Sequence, residues 1–221
     1  MLDAAFEALS LQLTDADGGA DLDRARATFW ARTGEFALED PFYEARTRAL
    51  FDFWLCDWRS ADGSRPAARN RDPELAAVAA ACPHAERGLF RVVEEAPLRV
   101  EELLFGAAFR LPAVEASGRL RAGDVFDGRL LVVSDEIQVA PGLLFHPPET
   151  HEALDALLPD ARELGLERAD ILDGLLRMRM RLHRFTSIRP RHIYRLDALL
   201  EADINSAGWA RKQQSSQPSD S

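Results

Sequence analysis

The sequence has few cysteines and no long apolar run, and each shortage excludes a class of protein. Cys56 and Cys82 are the only cysteines, too few for a disulfide framework or a four-cysteine zinc site, so we expect two free thiols. Arginines interrupt even the most apolar stretch, 171–185, which excludes a membrane span of roughly 18 apolar residues. The first residues lack the basic leader and apolar run of a secretory signal. We therefore expect a soluble, cytoplasmic protein.

The common motifs of catalysis and nucleotide binding are missing as well. No Gly-x-x-x-x-Gly-Lys, Gly-x-Gly-x-x-Gly, Gly-x-Ser-x-Gly or His-Glu-x-x-His motif occurs. The adjacent pairs Glu94-Glu95 and Glu101-Glu102 fall in or beside predicted strands, where neighbouring side chains point to opposite faces. The sequence thus predicts no catalytic residue, no metal ligand and no cofactor, and enzymatic activity is left uncertain.

What is present is the composition of an ordinary globular protein, with 47% hydrophobic and 29% charged residues in a chain of 221. Apolar residues at three- to four-residue spacing predict a helical part over 1–87. Its helices span 2–13, then a stretch from Asp21 as N-cap to Gly34, and then the aromatic-rich segment 42–58. We expect an exposed loop over 59–71 and a further helix ending before Pro83.

Residues 88–148 change to short β-type runs separated by turn residues. The predicted strands lie near 89–94, 98–103, 109–115, 125–133 and 137–145, with a hairpin tip at 134–136. Five short strands fit a small closed or partly open barrel. The sequence therefore predicts an α+β fold, a helical frame around a small antiparallel β-barrel-like unit.

Residues 149–210 are predicted to be helical again and to pack on the rest of the chain. One helix begins near Thr150 and is expected to break at Pro159, a longer one spans 167–185, and a short one covers 196–204. Residues 211–221 contain no apolar side chain that could offset ordering entropy. We expect a disordered tail there.

The segment Leu50-Phe-Asp-Phe-Trp-Leu-Cys-Asp-Trp-Arg59, together with Gly88-Leu-Phe-Arg-Val-Val and the stretch 120–131, resembles a widespread uncharacterised bacterial family. The resemblance covers roughly residues 45–150. Many members of that family carry a SEC-C motif, which binds zinc through closely spaced cysteines. No cysteine follows Cys82 here, so the motif is absent and the resemblance implies an architecture rather than a chemistry.

Positive charge is concentrated near the C-terminal end. Residues 177–195 hold seven arginines and no acidic residue, whereas the whole chain has a net charge of −10 and the remaining residues therefore carry −17. We predict a binding site formed by Arg177, Arg181 and Arg184 on one helix face and by Arg189, Arg191 and Arg195 in the next segment. Arginine grips carboxylates and phosphates bidentately.

These arginines predict a non-catalytic binding or regulatory protein that docks an acidic protein partner. Nucleic acid is a possible partner, but the overall acidity of the chain disfavours it. Alternatively, the arginines pair with acidic residues of the same chain. A second function, from another class, is a metal-dependent enzyme with a site at the junction of the β unit and the C-terminal helices, using His146 and His151.

Overall fold

The computed structural model of the protein describes residues 2–17, 19–112, 120–185 and 187–199. The chain divides into two compact units, residues 1–148 and the residues from 149 onward. The predicted tail over 211–221 and most of the short helix predicted over 196–204 lie outside the described residues.

The first unit begins with helices α1 (Leu2–Asp17), α2 (Ala20–Thr33) and α3 (Tyr43–Cys56), and the short α4 (Ala76–Ala81) follows. Helix α3 is apolar on most sides, and it buries Leu50, Phe53, Trp54 and Leu55. It contacts α1, α2 and strand β6 (Leu144–His146). The aromatic-rich segment is thus the central helix of this unit, as its all-round apolar pattern predicts.

Asp21 does not cap α2, contrary to the expectation from its position. Gly19 is the N-cap, and the carboxylate of Asp21 turns inward, where the residue is only 1% exposed. Its oxygens accept hydrogen bonds from side chains of α2, of the end of α3 and of the following segment; the donors are Arg24, Trp54, Trp58, Ser60 and Arg69. These five residues and Asp21 form what we call the Asp21 cluster.

The cluster also explains why residues 59–71 are not simply an exposed loop. Pro66–Arg69 forms a 3-10 turn in which Pro66 and Ala67 are buried. Arg69 donates from this turn to Asp21 across 2.9 Å. The segment lacks apolar periodicity because it is held by a charged hydrogen bond and two small buried residues rather than by an apolar face.

The β part is an antiparallel, curled half-barrel of strands β1 (Glu86–Glu95), β2 (Leu98–Glu102), β3 (Ala108–Arg110), β4 (Val125–Val133), β5 (Glu136–Val139) and β6. The order is β3-β2-β1-β4-β5, and β6 pairs with the first residues of β4. The α+β prediction is therefore confirmed. The strand predicted over 137–145 is divided into β5 and β6, because Pro141 and Gly142 interrupt the pairing with β4.

The predicted hairpin tip is present between β4 and β5, where Ser134 and Asp135 both have positive φ angles. Strand β4 is buried on both faces over residues 125–131. Phe126 and Leu130 point into the apolar core of the half-barrel. Asp127 and Arg129 point to the other face, where Arg129 forms an ion pair with Asp57 at the end of α3.

The second unit contains α5 (His151–Glu163) and α6 (Arg168–Arg184). Helix α5 does not break at Pro159, which was expected to end it. Leu154, Leu157, Leu158 and Ala161 form a continuous buried stripe through the proline, and Pro159 itself lies on the exposed side. Burial of the stripe outweighs the hydrogen bond lost at Pro159, because water can reach the carbonyl that this bond would have used.

Candidate protein-binding surface

Helix α6 has an apolar face along its first three turns and becomes exposed toward its end. Ile171, Leu172, Leu175 and Met178 are buried, as the spacing predicts. Leu182, one turn later, is only partly buried, and Phe185 at the C-cap is 52% exposed. Phe185 shares the three- to four-residue spacing of the apolar face, but it is exposed because the helix ends there and its last turn lies at the surface.

The structure separates the six predicted arginines by exposure. Arg177 is partly buried. The other five are exposed on the last turn of α6 and on the segment that follows; they are Arg181, Arg184, Arg189, Arg191 and Arg195. We call these five residues, with Phe185 and Ile188 between them, the arginine surface.

Among the described residues, only part of the arginine surface is paired with acidic side chains of the same chain. Arg195 pairs with Asp197, and Arg184 has further interactions within the protein. Within the described ranges, Arg181, Arg189 and Arg191 form no ion pair with an acidic side chain. Among the residues that the structure describes, the alternative that these arginines balance acidic residues of the same chain therefore accounts for Arg195 and not for these three.

Helix electrostatics explain part of the pattern. Cations in the last turn stabilise a helix through the partial negative charge at its C-terminus, typically by about 0.3–1 kcal/mol. Arg181 and Arg184 occupy that turn. Arg189 and Arg191 lie beyond the helix, so this effect does not account for them.

Two exposed apolar side chains lie among the arginines, and neither was predicted from the sequence to be a surface residue. Phe185 is 52% and Ile188 40% exposed. The two residues belong to one tight turn, in which the N–H of Ile188 donates to the carbonyl of Phe185 across 3.0 Å. Apolar and aromatic residues beside arginine are enriched at protein interfaces, whereas a purely solvated charged face needs no apolar residue.

The segment after α6 is held in place by two buried side chains, Ile193 and Tyr194. Burial raises the pKa of Tyr194 well above its usual range, and the charge of Arg179 and a hydrogen bond with Thr150 partly oppose this effect. Burial lowers the pKa of Arg179, which was not among the predicted site residues. These contacts anchor the segment that carries Arg189 and Arg191, so the two arginines extend from an ordered turn, Pro190–His192.

The other candidate chemistry is not assembled in the described chain. Across residues 2–17, 19–112, 120–185 and 187–199, no group of three or more His, Cys, Asp or Glu side chains could hold a metal ion. His146 is buried in the first unit, and His151 is partly buried in the second.

Cys56 and Cys82 are free and fully buried. A hydrogen bond with Cys82 and burial together raise the pKa of Cys56 well above its usual range.

Comparison with known proteins finds no matching family model, no matching curated protein and no matching solved structure. The resemblance to the family associated with SEC-C motifs therefore stays a prediction. None of the helices described here is long and apolar enough to cross a membrane.

Proposed function

We propose that this protein is a non-catalytic binding or regulatory protein that docks an acidic partner protein through the arginine surface. The observation that carries the proposal is the set of three exposed arginines, Arg181, Arg189 and Arg191, that form no internal ion pair among the described residues. Carboxylates of a partner would supply the bidentate acceptors that the guanidinium groups lack here.

Two features favour a protein over a nucleic acid as the partner. Phe185 and Ile188 offer exposed apolar side chains within the arginine surface, and such residues are common at the core of protein interfaces. The net charge of −10 for the whole chain opposes the approach of a polyanion such as DNA or RNA. The partner surface complementary to the arginine surface would be a compact acidic patch that contains an apolar residue.

The experiment that tests the proposal compares two triple charge reversals of the full chain. In the test variant Arg181, Arg189 and Arg191 become Glu, and in the matched control the exposed Arg71, Arg110 and Arg121 of the first unit become Glu. Both variants change the net charge equally. Proteins captured from lysate of the source cell by the wild type and by each variant are quantified by mass spectrometry.

We expect the test variant to lose a partner that the control retains. The partner should also dissociate as salt is raised, because the Debye length is only about 8–10 Å near physiological ionic strength. A third variant, Phe185→Ser, should weaken capture without changing the salt dependence. If the test variant keeps every partner of the wild type, or the control loses the same ones, the arginine surface is not the docking site.

A further inference from the structure

A groove of about 450 Å³ runs between α1 and α3 in the first unit, which is within the size range of small-molecule sites. Its walls are mostly apolar, and Phe6, Leu22 and Phe51 contribute to them. Two buried polar side chains, Ser10 and Asp52, also line it. The proposed docking at the arginine surface makes no use of this groove.

Asp52 is held rigidly at the groove. Its side chain is only 1% exposed, and its Oδ2 accepts the N–H of Gly142 at 2.9 Å. A Cβ atom at residue 142 would lie 2.6 Å from Asp52 Oδ2 and from Ala49 Cα, so only glycine allows this close approach. The second oxygen, Oδ1, is buried and has no hydrogen-bond partner in the part of the chain that the structure describes.

The hydroxyl of Ser10 is a second buried polar group at the groove. The residue is 5% exposed, and its Oγ has no hydrogen-bond partner among the described residues. A buried polar atom without a partner is costly, and most such atoms in native proteins are satisfied. Two of them, on facing helices and lining one cavity, indicate a place for a ligand that supplies hydrogen bonds.

The charged residues around the groove favour a positively charged ligand. Asp3, Glu7 and Glu44 line it together with a single basic residue, Arg48. Arg48 already donates to Glu44 across 2.7 Å and lies 3.8 Å from Asp3. The groove therefore has an acidic surplus above apolar walls, a combination that favours a cation with an apolar body.

We infer that this groove binds a small primary amine on an apolar body, whose ammonium group donates to Asp52 Oδ1 while the apolar part packs against Phe6 and Phe51. An ammonium group has three N–H donors, so it can also donate to Ser10 Oγ. Aromatic side chains near a cation add an attraction through their π faces.

The protonation state of Asp52 gives the inference a distinctive readout. Burial raises the pKa of Asp52 to about 7; Arg129 and the N–H of Gly142 oppose the rise, and Asp57 and Asp3 add to it. An ammonium ion beside the carboxylate favours its ionised form. Binding at about neutral pH should therefore release a proton from Asp52 to the buffer.

The test uses octylamine, octanol and octanoate as probes of equal chain length in isothermal titration calorimetry with the full chain. Titrations near pH 7 in two buffers of different ionisation enthalpy report the proton released. We expect octylamine to bind at least about tenfold more tightly than octanol, the ratio for one charged hydrogen bond. Octanoate should bind most weakly. Asp52→Asn should remove both the preference for the amine and the proton release.

A pair of surface variants keeps the inference testable even if Asp52→Asn fails to fold. Leu11 lines the groove and is 60% exposed, and Leu164 in the second unit is 54% exposed. Leu11→Arg should weaken octylamine binding at least about fivefold, and the matched Leu164→Arg should leave it unchanged. The inference is overturned if octylamine shows no preference over octanol, if Asp52→Asn retains the preference, or if the two arginine variants bind alike.

Discussion

Replacing Asp21 with Asn tests whether the Asp21 cluster organises the helical part of the first unit. The substitution keeps the size of the side chain but removes its charge and converts one acceptor oxygen into a donor. Oδ1 accepts from Arg24 and Trp58, and Oδ2 accepts from Trp54, Ser60 and Arg69. Whichever way the Asn amide is oriented, its NH2 group then faces at least two of these donors, Arg24 and Trp58 in one orientation and Trp54, Ser60 and Arg69 in the other.

The expected loss follows from those two donors. A hydrogen bond to a charged group contributes about 1.5–3 kcal/mol, and the substitution removes at least two such bonds. We therefore expect Asp21→Asn to lower the free energy of unfolding by about 3–5 kcal/mol, a large share of the 5–15 kcal/mol typical of a native protein. Urea unfolding followed by tryptophan fluorescence measures it, since Trp54 and Trp58 both donate to Asp21.

Asp23→Asn is the matched control on the same helix. Asp23 is exposed and pairs with the exposed Arg26, so its replacement should change the free energy of unfolding by less than about 0.5 kcal/mol. A loss below about 1 kcal/mol for Asp21→Asn, or equal losses for the two variants, would refute an organising role for Asp21.

The pH dependence provides a second check on the same residue. Burial tends to raise the pKa of Asp21, but hydrogen bonds from Ser60, Trp58, Trp54 and Arg24 outweigh it and lower the pKa to about 2, from 3.8. A lowered pKa contributes stability above pH 3.8 that is lost as the pH falls through 2. Relative to Asp21→Asn, the wild type should lose about 2.5 kcal/mol over this interval.

Two further predictions concern other buried groups of the first unit. Because the pKa of Asp52 is raised to about 7, its contribution to stability is complete below about pH 4 and is lost as the pH rises through 7. The free energy of unfolding of the wild type, measured in urea, should therefore fall by up to about 4 kcal/mol relative to that of Asp52→Asn between about pH 4 and pH 8. Parallel pH profiles of the two proteins would contradict this. Cys56 and Cys82 are fully buried, so an aromatic disulfide reagent should label neither thiol in the folded protein and both in urea, and rapid labelling without denaturant would show that this core opens.

The local elements could be predicted from the sequence because their signals are local. The short, mostly apolar run of β4 and the Ser134-Asp135 turn after it, with its positive φ angles, are both patterns of neighbouring residues. Asp21 could not be assigned in this way. An aspartate near a helix start is typical of an N-cap, and only the tertiary approach of Trp54 and Arg69 makes it a buried acceptor.

The same limit applies to the surfaces proposed for binding. The cluster of arginines is visible in the sequence, but the exposure of Phe185 depends on where α6 ends and on what covers its last turn. The groove with Asp52 requires one face of α1 to meet one face of α3. Asp52 lies within the aromatic-rich helix α3, and its sequence neighbours do not indicate that its Oδ1 has no hydrogen-bond partner among the described residues.

The Asp21 cluster has a consequence for folding during synthesis on the ribosome. Asp21 and Arg69 are separated by 48 residues, and at about 5–20 residues per second the ribosome needs roughly 2–10 s to synthesise that interval. During this time the first two helices have a carboxylate whose later donors do not yet exist, so water must solvate it. The hydrogen bonds of the Asp21 cluster can therefore be completed only after the segment 66–69 has emerged from the ribosome.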